Sequence, residues 1–128
     1  MLRLLAVALG GALGSALRYL VSAWALRLFG PAFPVGTLAV NVLGSFLLAL
    51  LVPFAAESAG LSPALRLALT TGFCGGFTTY STFNLEALTF FEKGSWATAA
   101  LYLAVTLFAC AGAGLVGLWL ARALFPAR

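Results

Sequence analysis

The sequence lacks histidine altogether, and charged residues make up only 8% of its 128 positions. A typical soluble domain carries roughly 25% charged residues. Hydrophobic residues reach 63% of the chain, which is more apolar surface than a core of this size can hide from water. The composition therefore excludes an ordinary soluble domain and predicts an integral membrane protein.

Cysteine and acidic residues are also scarce. Cys74 and Cys110 both lie inside apolar segments of a chain without histidine, so packing is a better explanation for them than a metal site or a disulfide. Seven Lys and Arg outnumber three Glu, for a net charge of +4. These charges are scattered toward segment ends and form no basic stripe with interleaved aromatics, so no nucleic-acid partner is expected.

Four long apolar runs predict an all-α protein with four transmembrane helices. The runs cover residues 2–28, 37–54, 62–91 and 96–124, and each supplies about 20 apolar residues, the number that a bilayer crossing needs. The first run is longer than the apolar core of a signal peptide, which favours a retained helix. With no soluble domain, linker or internal repeat, residues 1–128 are predicted to form a single transmembrane domain.

Positive charges give a weak indication of topology. Arg3, Arg66, Arg122 and Arg128 fall on the side that holds both predicted termini, and Arg27 and Lys93 fall on the other. This bias leans toward termini in the cytoplasm. It is small enough to permit insertion in both orientations without establishing it.

Polar residues inside the apolar runs recur at helical spacing. Thr37, Asn41 and Ser45 share a face of the second run, and Thr98, Tyr102, Thr106 and Cys110 share a face of the fourth. The third run adds Thr78, Ser81 and Thr82 beside Tyr80 and Phe83. Such residues can simply join membrane helices, but three rows together favour a shared polar path.

The first run combines small residues with one charge. Ala6, Gly10 and Gly14 are four apart and predict close approach of a neighbouring helix. Arg18 follows at the next step. Its guanidinium either extends to the membrane interface or faces a water-filled vestibule, where it would raise the local anion concentration.

The stretch GFCGGFTTYSTF, residues 72–83, predicts an interrupted helix. Gly75 and Gly76 loosen the backbone, and Thr78 and Thr79 are poor helix formers. Interrupted membrane helices present carbonyl groups where ions bind. The alternative is a packing site, since Gly72 and Gly76 also form a GxxxG pair. Hydroxyl and amide hydrogens and aromatic ring edges suit an anion better than a cation.

Three segments together resemble the Fluc, or CrcB, family of fluoride channels: GGALGSALRY (residues 10–19), GTLAVNVLGSF (36–46) and GFCGGFTTYSTF. The resemblance covers essentially the whole chain. It implies a passive, fluoride-selective channel in the inner (plasma) membrane that exports cytoplasmic fluoride. It also implies a dual-topology antiparallel homodimer with two pores, a third helix broken at mid-membrane and a central structural sodium ion.

The resemblance also assigns residues, and the polar rows extend the assignment. Backbone carbonyls of Gly75 and Thr78 from each subunit would surround sodium, and Arg18 matches the family's first-helix arginine. Glu86 matches a third-helix acid without an assigned role. Tyr80 stands where the family commonly has Phe. Residues implied in the fluoride pore, of which Thr106 follows mainly from periodicity, are Asn41, Tyr80, Phe83, Ser81, Thr82, Tyr102, Thr37 and Thr106.

Two other functions remain as alternatives, and no enzyme activity is expected. A proton-coupled small multidrug exporter has a similar size, but its mechanism needs an acid in the first membrane helix, where this chain has only the opposite charge of Arg18. A non-conducting membrane assembly subunit would explain the glycine pairs and leave the aligned polar rows without a purpose.

Overall fold

The computed structural model describes residues 1–58 and 60–125, and this part of the chain contains helices and loops without β-strands. Three helices are long: α1 spans Leu2–Phe29, α2 spans Val35–Glu57 and α6 spans Trp96–Leu124. Each is long and apolar enough to cross a membrane. The prediction of an all-helical, multi-pass membrane protein is therefore confirmed. Arg128, one of the charges used for the topology, lies outside the described residues.

The third apolar run forms several shorter elements instead of one helix. Thr78 and Thr79 are extended, with ψ of 159° and φ of −151° respectively, so the helical hydrogen bonds cannot run through them. The elements are α3 (Pro63–Leu67), a π-helical segment (Ala68–Cys74), α4 (Gly75–Phe77) and, beyond the two extended residues, α5 (Tyr80–Glu92).

The glycine pair does not itself form the interruption. Gly75 has φ of −64° and ψ of −38° and begins α4, so both glycines are helical and the chain leaves the helix two residues later. Gly76 serves close packing, because a Cβ there would lie 2.5 Å from the Gly11 carbonyl oxygen on α1. The sequence presented close packing and an interrupted helix as alternatives. The structure has both, with packing at Gly76 and the interruption at Thr78 and Thr79.

Small residues on α1 permit a backbone-to-backbone contact with the third run. A Cβ at Gly10 would overlap the carbonyl oxygen of Ala68, and one at Gly14 would overlap that of Phe73. Helices without side chains between them gain van der Waals contact along their backbones. The predicted close approach of a neighbouring helix to this face is confirmed. Helix α2 packs along α6 and also contacts α1.

Arg66 ties the end of α2 to the start of α3. Its Nη2 donates to the Ser58 carbonyl at 2.9 Å, its Nε to that of Leu61 at 3.1 Å and its Nη1 to that of Ala56 at 3.4 Å. The last carbonyls of a helix have no intrahelical donor, and a cation near them is favoured by the helix dipole. This arginine therefore holds the turn that positions the third run against α1.

Gly14→Ala is expected to destabilise the protein, because the added methyl group overlaps the Phe73 carbonyl, which belongs to a rigid backbone. Overpacking of this kind costs about 1–3 kcal/mol or more. Gly112→Ala on α6 is the matched control, since nothing lies within 4 Å of a Cβ there. Reversible unfolding of the purified variants in mixed detergent micelles measures both free energies, and equal values for the two would contradict the close contact.

Candidate functional site

A groove of about 650 Å³ lies between α2, the start of α5 and α6. Its lining combines polar groups with two aromatic rings, and the rest is leucine, alanine and glycine. The polar and aromatic lining residues are Asn41, Ser45, Thr78, Tyr80, Phe83, Thr106 and Cys110. Asn41 and Ser45 come from the predicted row on α2, and Thr106 and Cys110 come from the row on α6. The structure therefore brings parts of both rows together, as the helical spacing predicted.

Asn41 binds the backbone at the interruption. Its Oδ1 accepts a hydrogen bond from the Thr79 amide nitrogen at 2.7 Å, and its Nδ2 donates to the Thr79 carbonyl oxygen at 3.1 Å. Both bonds are buried, so they satisfy two backbone groups that the interruption takes out of the helix. One amide hydrogen of Asn41 remains for another acceptor.

Thr79 begins α5 with its own side chain. Its hydroxyl oxygen accepts from the Thr82 amide nitrogen at 3.3 Å, and the hydroxyl donates to Thr82 Oγ1 at 2.8 Å. A threonine at the residue before a helix satisfies one of the first amide groups in this way. Two side chains thus stabilise the interruption: Asn41 from α2 and Thr79 from the interruption itself.

Tyr80 and Phe83 form an edge-to-face aromatic pair at the groove. Their ring centroids are 5.7 Å apart at an interplanar angle of 61°. Phe83 is buried at 8% exposure, whereas Tyr80 is 77% exposed in the single chain. Ring edges carry positive partial charge, so the two rings offer the groove apolar surface together with weak attraction for an anion.

Thr106 carries a buried hydroxyl oxygen that finds no hydrogen-bond partner within the described part of the chain. It lines the groove one turn from Cys110. Leaving a buried hydroxyl unpaired costs about 1–3 kcal/mol. Because the Thr106 hydroxyl lies at the groove wall without a partner among the described residues, it is a candidate donor to an ion or molecule in the groove.

A second polar cluster surrounds Glu86, for which the sequence assigned no role. Thr37 donates to its Oε1 at 2.9 Å, and the Tyr102 hydroxyl donates to its Oε2 at 2.7 Å. Thr37 and Glu86 line a separate cavity of about 350 Å³ that also includes Lys93. The α2 row is therefore divided between two cavities, and three helices meet at one carboxyl group.

Tyr102 does not line the groove, although its row predicted that it would share a path with Thr106. Its ring is fully buried and makes edge contacts with Phe33, Phe83 and Phe90, at centroid distances of 5.2, 5.0 and 6.2 Å. Phe83 lines the groove and Phe90 lines the Glu86 cavity. Tyr102 thus packs between rings that belong to both cavities.

The remaining predicted residues lie apart from the groove lining. Ser81, Thr82 and Gly75 are exposed in the single chain, and Arg18 is partly buried and lines neither of the two cavities. The sequence analysis gave Glu86 no role and named Thr79 only as a poor helix former. For Thr79 a local signal existed, because threonine is a favoured residue immediately before a helix.

This architecture defines a class of protein: a multi-pass helical membrane protein with uncharged hydrogen-bond donors between its helices. Within it, residues 5–118 match the family described as CrcB-like protein, Camphor Resistance (CrcB), and the chain belongs to that family.

Curated relatives cover nearly the whole chain. A protein of Anaeromyxobacter dehalogenans is 56% identical over 122 residues, which cover 95% of this chain and 97% of the relative. One from Agrobacterium fabrum is 49% identical over 125 residues, 98% of this chain and 100% of the relative. A third, from Sorangium cellulosum, is 51% identical over 118 residues, 92% and 93% respectively. All three are named fluoride-specific ion channel FluC. The predicted family resemblance is confirmed, and so is the prediction that the protein is not an enzyme.

Thr37→Val and Tyr102→Phe are each expected to destabilise the protein, because each removes one donor to Glu86. A hydrogen bond between membrane helices contributes about 0.6–2 kcal/mol. Since both donors share one carboxyl group, the double variant should depart from additivity by at least about 0.5 kcal/mol.

Tyr19→Phe is the control for loss of a phenolic hydroxyl, as Tyr19 is 72% exposed on α1. Unfolding free energies in mixed micelles complete the double-mutant cycle. Strict additivity, or an equal loss in Tyr19→Phe, would mean that the Glu86 cluster does not act as a unit.

Proposed function

We propose that this protein is a passive, fluoride-selective ion channel that exports cytoplasmic fluoride. The observation that carries the proposal is the groove in which Asn41, Thr106 and the Tyr80–Phe83 ring pair converge. It occurs in a member of a family with relatives, one of them 56% identical, that are named fluoride-specific ion channels.

The chemistry of the groove suits a small anion. Amide and hydroxyl hydrogens and ring edges can replace part of the hydration shell of fluoride. None of the described residues that line the groove is charged, so an anion would be held weakly enough to leave again. Conduction requires this balance between entry and release. The proposed pore includes Asn41, Tyr80, Phe83 and Thr106 in the groove lining. It also includes Thr37 and Tyr102 of the Glu86 cluster and Ser81 and Thr82 on the exposed side of α5, with Arg18 at a vestibule.

A second copy of the chain would complete the pore. The groove is open along one side, and Ser81, Thr82 and Asn84 on α5 are exposed in the single chain. Polar side chains facing lipid are costly and are normally covered by protein. An antiparallel homodimer would cover them, with two equal pores generated by a two-fold axis in the membrane plane. The small positive-charge bias is compatible with such dual topology.

A structural sodium ion on that axis is part of the proposal. The interruption at Thr78 and Thr79 would then lie at mid-membrane depth, and the carbonyls of Gly75 and Thr78 from both subunits would supply four oxygen ligands. Oxygen donors suit a hard cation such as sodium. In support, Gly75 is exposed and the amide groups that a continuous helix would place on these carbonyls bond elsewhere. When bound, the ion would neutralise carbonyl dipoles at the centre of the dimer.

Passive flow is sufficient for fluoride resistance in the inner membrane. In an acidic medium, fluoride enters the cell as neutral HF. The HF dissociates at the higher internal pH, and the anion is trapped. A negative interior favours exit of an anion by about 2.3 kcal/mol per 100 mV. No energy source beyond the membrane potential is then required.

Liposomes that contain the purified protein should release fluoride rapidly and chloride negligibly, as measured with ion-selective electrodes. A potassium ionophore dissipates the voltage that would otherwise stop the flux. Phe83→Leu should lower fluoride flux by about tenfold or more, because it keeps apolar volume but removes the ring edge. Phe108→Leu, at a position 73% exposed on α6, should retain the flux. Absence of fluoride release from folded wild-type protein would refute the channel and favour the assembly-subunit alternative.

Thr106→Val separates transport from packing. It removes a buried hydroxyl that bonds to no group in the described part of the chain and replaces it with a methyl group of similar volume. Stability should therefore be unchanged or higher by up to about 1 kcal/mol. Fluoride flux per folded protein should fall, because one proposed donor is lost. Flux and unfolding free energy are measured on the same preparations. Unchanged flux would remove Thr106 from the proposed pore.

A further inference from the structure

We infer that Asn41 and Thr79 are positioning residues for the cation site: their side chains capture the two amide groups that would otherwise close the helix over the carbonyls of Gly75 and Thr78. The inference rests on the sodium ion of the proposed function. It assigns Asn41 a task other than donating to fluoride, and it gives Thr79 a task beyond capping α5.

The first captured amide belongs to Thr79. In a continuous α-helix this N–H would donate to the carbonyl four residues earlier, which is that of Gly75. Here it donates to Asn41 Oδ1 at 2.7 Å instead. The bond is buried and is reinforced by the return bond from Asn41 Nδ2 to the Thr79 carbonyl. Asn41 thus leaves the Gly75 oxygen available at an exposed position.

The second captured amide belongs to Thr82. Its partner in a continuous helix would be the carbonyl of Thr78, but it donates to Thr79 Oγ1 at 3.3 Å. The Thr78 hydroxyl does not take its place, because it donates to the Cys74 carbonyl at 3.0 Å. The Thr78 carbonyl oxygen is therefore available as well. Here the side chain that binds the competing amide is that of Thr79.

Asn41 belongs both to the hydrogen bonds at the interruption and to the lining of the groove. Gly44, one turn along α2, lies so close to the Thr78 methyl group that a Cβ there would overlap it. Asn41 and Gly44 both line the groove, so one face of α2 contacts both extended residues. Cation binding at the carbonyls and anion binding in the groove would then share Asn41, and any effect of one ion on the affinity for the other would be reciprocal.

Sodium binding by the purified full-length protein in detergent tests the inference without any transport assay. Thermal unfolding is recorded at graded sodium concentrations, with N-methylglucamine replacing sodium at constant ionic strength. A cation that binds only the folded protein raises its melting temperature with increasing concentration, and the dependence gives the binding midpoint. The wild-type protein is expected to show such a rise.

Thr79→Val and Thr79→Ser form the decisive pair. Valine keeps the β-branched preference for extended backbone but cannot accept from the Thr82 amide, so the sodium midpoint should rise about tenfold or more. Serine keeps the acceptor and should stay close to the wild-type midpoint. Thr70→Val is the matched control, because the Thr70 hydroxyl bonds to the Arg66 carbonyl and captures no amide; its midpoint should be unchanged.

Asn41→Leu removes both bonds to Thr79 and should abolish the sodium response, whereas Asn41→Asp keeps an acceptor for the Thr79 amide and should retain it. If the leucine variant does not fold, the Thr79 pair decides. Folded valine and leucine variants that are less stable but keep the wild-type sodium midpoint would overturn the inference and leave the channel untouched. Absence of any sodium response in the wild-type protein would overturn both the structural sodium and the inference, and fluoride flux would then judge the channel separately.

Discussion

The two buried hydrogen bonds between the Asn41 side chain and the Thr79 backbone are the interaction on which the groove depends. A membrane protein has little water to satisfy backbone groups that leave a helix, and each unpaired group would cost several kcal/mol. Asn41 supplies an acceptor and a donor to the same residue. The chain can then leave the helix at Thr78 and resume it at Tyr80, which turns Tyr80 and Phe83 toward α2 and α6.

Close packing keeps the two halves of the third run in place around this interruption. Glycines on α1 let its backbone touch the π-helical segment, and Ser15 donates to the Gly76 carbonyl at 3.3 Å. At the far end, Arg66 fixes the turn between α2 and α3. The segment before Thr78 is thus held by α1, while Phe83 after the interruption packs against Tyr102 of α6. Two different supports give the interruption a defined geometry.

The polar groups between the helices are uncharged donors in the groove and one carboxyl group that accepts from two other helices. The groove carries amide, hydroxyl and thiol groups, and the Glu86 carboxyl group in the other cavity accepts from Thr37 and Tyr102. Charges would bind a counter-ion tightly, whereas dispersed dipoles can replace hydration without trapping an ion. The exposed polar face of α5 has the same character, and the proposed homodimer would cover it.

Composition and hydrophobic periodicity determined the class, three of the four predicted membrane helices and the common face of Asn41 and Ser45, because apolar length and a 3.6-residue period are local properties. The motif segments also determined the family. Only the tertiary structure decided that Gly75 and Gly76 are helical, that Thr37 and Tyr102 bind Glu86 outside the groove, and that Asn41 holds Thr79. The last two facts depend on contacts between residues 16 to 49 positions apart. No local pattern specifies them, since they arise when α2, α5 and α6 pack together.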